Sequence, residues 1–394
     1  MRFRNIIICT LLLLDTVSIL AQKNPAKNEA IDIAGFYDSA HHWYDINDEV
    51  PKTIMPEKDQ KKYSKDQIEA IADNILLYQR ANGGWPKNYD MLAILTDEQK
   101  KAIVDSKNDI SLTTFDNGAT HSQIAYLAKA FKKTKQERFK DAVLRGIDFI
   151  LSAQYPNGGF PQFYPDTKGY RKYITFNDGA MGGVMEVLGD IVRSEKQYAF
   201  VDDARRASVR IAFDKGVNCI LQCQINVGDS LTAWCQQHDN VTLKPQNART
   251  FEPKAICSME SAEIVRFLME IDAPSAEVKN AVHSAVAWFR GSALYGIRVE
   301  NRKMDTTKFQ YHTSTEDRVL VRDESAPQIW SRMYEIGTNR PLFCNRDGKV
   351  VYSLADVELE RRTGYAWYGY GPQEVLNRYD AWCSKWNTSR IMRK

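Results

Sequence analysis

The stretch ILLYQRANGGWP, residues 75–86, decides the fold, because it returns 75 positions later as ILSAQYPNGGFP, residues 150–161. Both copies hold Ile-Leu, a glutamine (Gln79, Gln154), Asn-Gly-Gly, an aromatic residue and a proline in the same order. The residues leading into the first copy, IEAIADNILLYQ (68–79), carry apolar side chains at helical spacing. The Gly- and Pro-rich tail then ends the helix in a loop. A degraded third copy follows at Ile220-Leu221, Gln224, Gly228 and TAWCQQHD (232–239). A second helix of each unit is read in HSQIAYLAKAFKK (121–133), GGVMEVLGDIVR (182–193) and MESAEIVRFLMEI (259–271), all amphipathic. Repeats of this length, with two helices each, predict stacked or ring-closed helical hairpins. The expected fold is an all-α toroid, with strands few and short as in KVVYSL (349–354).

A second repeat sits in the connections. TFDNGA (114–119) and TFNDGA (175–180) lie 61 positions apart with acid and amide exchanged, and each precedes a helix. Asp116, Asn117, Asn177 and Asp178 are therefore candidate helix caps. A cap needs one side chain, however, and each copy offers two. The loops at one end of a toroid converge on its cavity, so the two phrases also form a candidate cage of hard oxygen ligands, which suits calcium better than magnesium. The segment LKPQNARTFEPKA (243–255) is the third unit's counterpart and offers Lys244, Arg249, Glu252 and Lys254. WSRMYEIGTNRPLFCNRDGKVVYS (330–353) adds Arg332 and Arg340. Cations opposite a calcium site predict a polyuronate ligand. Aromatic residues crowd the same loops (Trp85, Tyr89, Phe160, Phe163, Trp234 and YAWYGYGP at 365–372) and read either as core or as a sugar-stacking wall.

The 394 residues are 43% hydrophobic and 26% charged, ordinary for a chain able to bury a sizeable core. Residues 1–21 read as a signal peptide: Arg2 and Arg4 precede the apolar run Ile6–Leu14, and Ala21 suits the cut. No cysteine lies at that cut, so a bacterial lipid anchor is not expected. Without that segment the chain has 51 basic and 49 acidic residues, a net charge of +2, which does not point to nucleic acid. No remaining stretch is long and apolar enough to span a bilayer. Six cysteines remain, too sparse for a disulfide scaffold, with room for one or two bridges. Residues 22–65, polar and broken by Pro25, Pro51 and Pro56, read as a lead-in packed loosely on a main domain at 66–394. The expected product is an exported protein, periplasmic or extracellular, and a monomer.

TTFDNGAT, the repeated NGG[WF]P, YITFNDGAM, TAWCQQHD, NARTFEP and WSRMYEIGTNRPLF together resemble the family 10 polysaccharide lyases, the secreted pectate lyases. The resemblance runs from about residue 66 to 370. It implies an (α/α)3 toroid and calcium-assisted β-elimination of polygalacturonate or pectin oligosaccharides. Carried across by motif, Asp116, Asn117 and Asp178 are implied as the calcium ligands and Arg249 as the catalytic base. Arg340, Arg332 and Thr120 are implied as contacts to the substrate carboxylates. Asn177 is not assigned to the metal.

Calcium and positioned arginines would relieve the charge that develops when the proton at carbon 5 of a uronide is removed. Arginine is an awkward base, since its guanidinium is normally always charged. Neighbouring cations would disfavour the charged form, and an alkaline optimum is expected. Two other readings stay open at this stage. One is an α/α-barrel glycoside hydrolase on uronides, with Asp116 and Asp178 as its carboxylate pair. The other is a non-catalytic pectin-binding protein.

Overall fold

The computed structural model describes residues 29–45 and 52–388, so the signal-peptide assignment at 1–21 lies outside the described residues. Helices dominate. After α1 (Tyr37–Tyr44), α2 (Ile68–Tyr78) and α3 (Asp97–Asp105), three helical hairpins follow in chain order. They are α4 (His121–Thr134) with α5 (Glu137–Ala153), α6 (Ala180–Val192) with α7 (Asp203–Cys223), and α8 (Ser258–Met269) with α9 (Ala276–Ser292). The short α10 (Leu359–Gly364) and α11 (Gly371–Lys385) are the last helices among the described residues. Two rows result: α2, α5, α7 and α9 pack in sequence along one, and α4, α6, α8 and α11 along the other.

Local chemistry sets the helix boundaries. Asp202 caps α7 by accepting the amide of Arg205 at 2.9 Å, and Ser275 caps α9 through the amide of Val278. In α5, Phe139, Val143, Ile147 and Ile150 recur at helical spacing and are all fully buried, each burial contributing roughly 1.5–3 kcal/mol. α6 is apolar around most of its circumference, the mark of a helix enclosed by protein.

The repeated glutamine joins one unit to the next. The side-chain amide of Gln79 donates to the carbonyls of Gly83 and Ala142, that of Gln154 to Gly158 and Ala212, and that of Gln224 to Thr232 and Ala281. Each glutamine thus closes its own loop and holds the following helix of the same row. The aromatic of the motif works beside it. Trp85 and Trp234 are buried and donate their indole N–H groups to the carbonyls of Ile75 and Ile220, each at 2.7 Å. Trp85, Tyr89, Phe160, Phe163 and Trp234 are therefore core rather than a sugar-stacking wall.

Two expectations are corrected, and the cysteines, left open by the sequence, are settled for the described residues. The lead-in does not pack loosely: Ile31, Ile33, Phe36 and Trp43 are buried in the main core, and the Trp43 indole donates to the carbonyl of Ile54 at 2.9 Å. Its polar composition hides a few well-placed apolar side chains. Not every strand is short, since Ile297–Lys308 and Thr313–Arg322 form a long antiparallel hairpin. Both of its faces are largely polar and accessible, which erases the alternation that marks a half-buried strand. The six cysteines of the described residues are all buried, and no disulfide forms among them. Among the described residues, no helix is long and apolar enough to cross a membrane.

Candidate active site

The phrases TFDNGA and TFNDGA fold into the same turn. A single turn of 310 helix covers Asp116–Gly118 in one and Asn177–Gly179 in the other, and the two turns pack together. The second residue of each adopts left-handed geometry, Asn117 at φ 51° and Asp178 at φ 51°. Asn and Asp tolerate that region better than other side chains with a Cβ. Neither turn caps its helix by a side chain, since Thr120 and Gly179, the residues just before α4 and α6, make no side-chain capping bond. The capping role does not account for the four residues.

In both copies the first side chain points inward onto a cation. Asp116 is buried and ion-paired with Lys87, with Gln162 beside it, and its second carboxylate oxygen is buried with no hydrogen-bond partner among the described residues. Asn177, also buried, accepts from Arg332 Nη2 at 2.8 Å and from Gln236 at 3.2 Å. The second side chain differs. Asn117 is buried and donates to Asn88, whereas Asp178 reaches solvent from a recess ringed by protein. Desolvation first, and then the charge of Asp116, pushes the Asp178 carboxyl up to about 7, while Arg332 and Arg249 oppose the shift. Burial works against the charge on Asp116, but Lys87 prevails and holds its carboxyl below the usual range. Two carboxylates thus stand close enough to repel, one with a bare oxygen, beside the amide of Asn117. That donor set fits a hard divalent cation. Among the described residues, no three His, Cys, Asp or Glu side chains gather around one point, so such an ion would draw on amide oxygens too.

A buried polar network runs from this recess to Arg249. Arg332 donates to Glu260 Oε1 through Nε at 3.0 Å and Nη2 at 2.5 Å. Gln236 donates to Glu260 at 3.0 Å and to the Tyr365 hydroxyl at 2.9 Å, and that hydroxyl donates onward to Glu252 at 3.4 Å. Glu252, 1% exposed, receives Arg249 through Nε at 2.8 Å and Nη2 at 2.5 Å, while the Arg249 side chain is 44% exposed. Burial disfavours the charge on Arg249, but Glu252 overrides it and pushes the guanidinium above its ordinary value, an anionic neighbour that the reading of Arg249 as a base does not take into account.

Asp178 lies within reach of the charges of Asp116, Arg249 and Arg332, and Asp116 within reach of that of Arg249. Thr120 is not presented to a ligand: it is wholly buried, its hydroxyl accepting from the Trp85 amide and donating to the Thr114 carbonyl. Arg340 is exposed, stacks on Tyr352 at 3.8 Å and lies beside Glu335, apart from this network. Lys87, Gln236, Glu260 and Tyr365 were not singled out as site residues in the sequence. Lys87 directly follows the repeated NGGWP, and Gln236 lies in TAWCQQHD, which was the available signal.

The sequence profile of the pectic acid lyase family matches residues 79–376. A family 10 polysaccharide lyase from Cellvibrio cellulosa has a TM-score of 0.67 and 28% identity to this chain, covering 90% of this chain and 98% of that one. An aspartate-to-alanine mutant of a family 10 polysaccharide lyase from Cellvibrio cellulosa, in complex with trigalacturonic acid, scores the same, covering 90% and 99%. No curated protein matches the chain. A profile spanning most of the chain, with structural likeness over nine-tenths of it, places this protein in the pectic acid lyase family, as a polysaccharide lyase enzyme.

Proposed function

We propose that this pectate lyase cleaves polygalacturonate by β-elimination, with calcium held by Asp116, Asn117 and Asp178, Arg249 as base and Arg332 facing the substrate carboxylates. The observation that carries the reading is the meeting of the two turns: repelling carboxylates with a bare oxygen, faced by two guanidiniums. When bound, calcium would supply Lewis-acid relief for charge developing on the uronate carboxyl. The chain's own part is positioning. Arg332, fixed by Glu260 and Asn177, holds positive charge where the carboxylate arrives. Arg249 takes the proton from carbon 5, and the glycosidic oxygen leaves to give a 4,5-unsaturated oligogalacturonide. No carboxylate acid–base pair is required.

The same reading extends to architecture and location. The three hairpins α4–α5, α6–α7 and α8–α9 support reading the fold as an (α/α)3 toroid. Glu186 on α6 and Glu263 on α8 support a central cavity, being accessible between buried neighbours and sharing the charge of Arg266. We read residues 1–21 as a signal peptide, 22–65 as the lead-in and 66–394 as the lyase domain of a monomer exported to the periplasm or beyond. Arg340 is kept as an outer contact to the polymer, whereas Thr120 holds its loop together. The test is ultraviolet absorbance of the unsaturated product on polygalacturonate, with and without chelator. Absorbance that grows with time and stops with EDTA is expected; chain shortening without it would overturn elimination.

A further inference from the structure

Arg249 carries three groups that donate to one buried carboxylate. Its backbone amide reaches Glu252 Oε2 at 3.2 Å, its Nε reaches the same oxygen at 2.8 Å, and its Nη2 reaches Oε1 at 2.5 Å. The Glu252 amide in turn donates to the Arg249 carbonyl at 2.8 Å, closing a tight turn over residues 249–252. The guanidinium also stacks on the Phe251 ring at 4.8 Å. A planar guanidinium held along one edge by a bidentate carboxylate and across one face by a ring has little freedom left. Among the described residues Nη1 has no hydrogen-bond partner, the side chain is 44% exposed, and Arg249 and the carboxylates of Asp178 and Asp116 lie within reach of one another's charge.

We propose that Glu252 is a positioning residue that aims Arg249 so that Nη1 is the nitrogen taking the carbon 5 proton. This rests on the reading of Arg249 as the base. Glu252 secures the aim at the expense of basicity, because a carboxylate against a guanidinium favours its protonated form. The step balances without a further reactant. The C5–H bond breaks and an N–H bond forms at Nη1 of the neutral guanidine. The electron pair becomes the C4=C5 bond as C4–O4 breaks, and the leaving oxygen takes a proton from water. The hydroxide left behind removes the proton from Arg249 and restores the base. Other groups facing the pair are Tyr365, Arg332 and Asp178, with Arg346 and Arg361 across the Phe251 ring, both paired to Glu360.

The experiment compares Glu252→Gln, Glu252→Asp and Arg249→Ala in the full chain with calcium on polygalacturonate. Arg249→Ala should abolish turnover. Glu252→Gln should lower kcat by about 100-fold with KM nearly unchanged, the expected consequence of a misaimed group. It should also move the rising limb of the pH–rate profile down by about one unit, since an anion no longer supports the guanidinium charge. Glu252→Asp keeps that charge, so its limb should stay in place while kcat falls less. If Glu252→Gln does not fold, Glu252→Asp carries the test: a reduced kcat on an unmoved limb supports the proposal, and an unreduced kcat overturns it. A folded Glu252→Gln with kcat unchanged, or lowered on an unmoved limb, also overturns it while leaving Arg249 as the base. Turnover by Arg249→Ala would remove the base reading and this proposal together.

Discussion

The turn at 114–119 and the turn at 175–180 share a backbone and differ in which of their two polar residues carries charge. In each, the first residue is buried against a cation and the second sits in left-handed geometry, buried as Asn117 in one copy and reaching solvent as Asp178 in the other. What stands behind the first position explains the exchange. Lys87 behind Asp116 has no other anion among its described partners, so a neutral residue there would leave a mostly buried ammonium unpaired. Arg332 behind Asn177 already has Glu260, so a second acid there would add an uncompensated buried charge. The acid of the second turn is thereby displaced one residue outward, to Asp178. The duplicated backbone supplies two matching platforms, and the differing cations set where each carboxylate sits.

Asp178→Asn should separate activity from stability most sharply. Turnover should fall by about 1,000-fold, the scale for losing a group that stabilises developing charge. Melting temperature should hold or rise, because a carboxyl held at about 7 by desolvation and by Asp116 destabilises the fold when ionised. A marked loss of stability in this variant would break the distinction between the outer and inner positions.

Asp116→Asn should cost both. Beyond lost turnover, it leaves Lys87, 13% exposed, without its anion, a loss of about 3 kcal/mol in a denaturant titration. Combining it with Lys87→Met should recover stability without recovering activity. Recovery of turnover in the double variant would show that Asp116 serves Lys87 alone.

The pH dependence of calcium binding sharpens the comparison further. The folded carboxyl of Asp178 lies at about 7, above its ordinary 3.8, so ionising it costs stability that accrues as pH rises between those values. A cation needs the ionised form, so affinity should weaken about tenfold between pH 8 and pH 6, with proton release visible by calorimetry in two buffers. Asp116, held low by Lys87, should contribute nothing over that range. Affinity flat from pH 8 to 6 would contradict the assignment of Asp178 as the outer ligand.

The sequence made the repeat legible because Gln79, Gln154 and Gln224 must satisfy the same carbonyls at every unit boundary, and that demand recurs at a nearly regular period. The two acid–amide phrases were visible for the same reason. Burial was not. Nothing in TFDNGA against TFNDGA tells which polar residue points inward, because that depends on Lys87 and on the Arg332–Glu260 pair, brought in from distant parts of the chain. The hold of Glu252 on Arg249 lies three residues away in sequence, yet only the turn around Phe251 makes it bidentate. The burial of Ile31, Phe36 and Trp43 is not legible because a few apolar residues in a polar segment carry no periodicity.

The smallest expected effect concerns the glycines that close the two turns. Gly118 and Gly179 share positive φ, 75° and 66°, so alanine at either costs about 1 kcal/mol in backbone conformation alone. Their surroundings differ. A Cβ on Gly118 would stand 2.1 Å from the carbonyl oxygen of Gly35 in the lead-in, whereas among the described residues nothing lies within 4 Å of one on Gly179. Gly179→Ala should therefore lose only the conformational amount. Gly118→Ala should lose more, because the lead-in must also move off the turn, and proteolysis around residue 35 should quicken in that variant alone. Equal losses, with no change in cleavage, would mean that the lead-in does not brace the first turn, and the two platforms would then be alike in support as well as in shape.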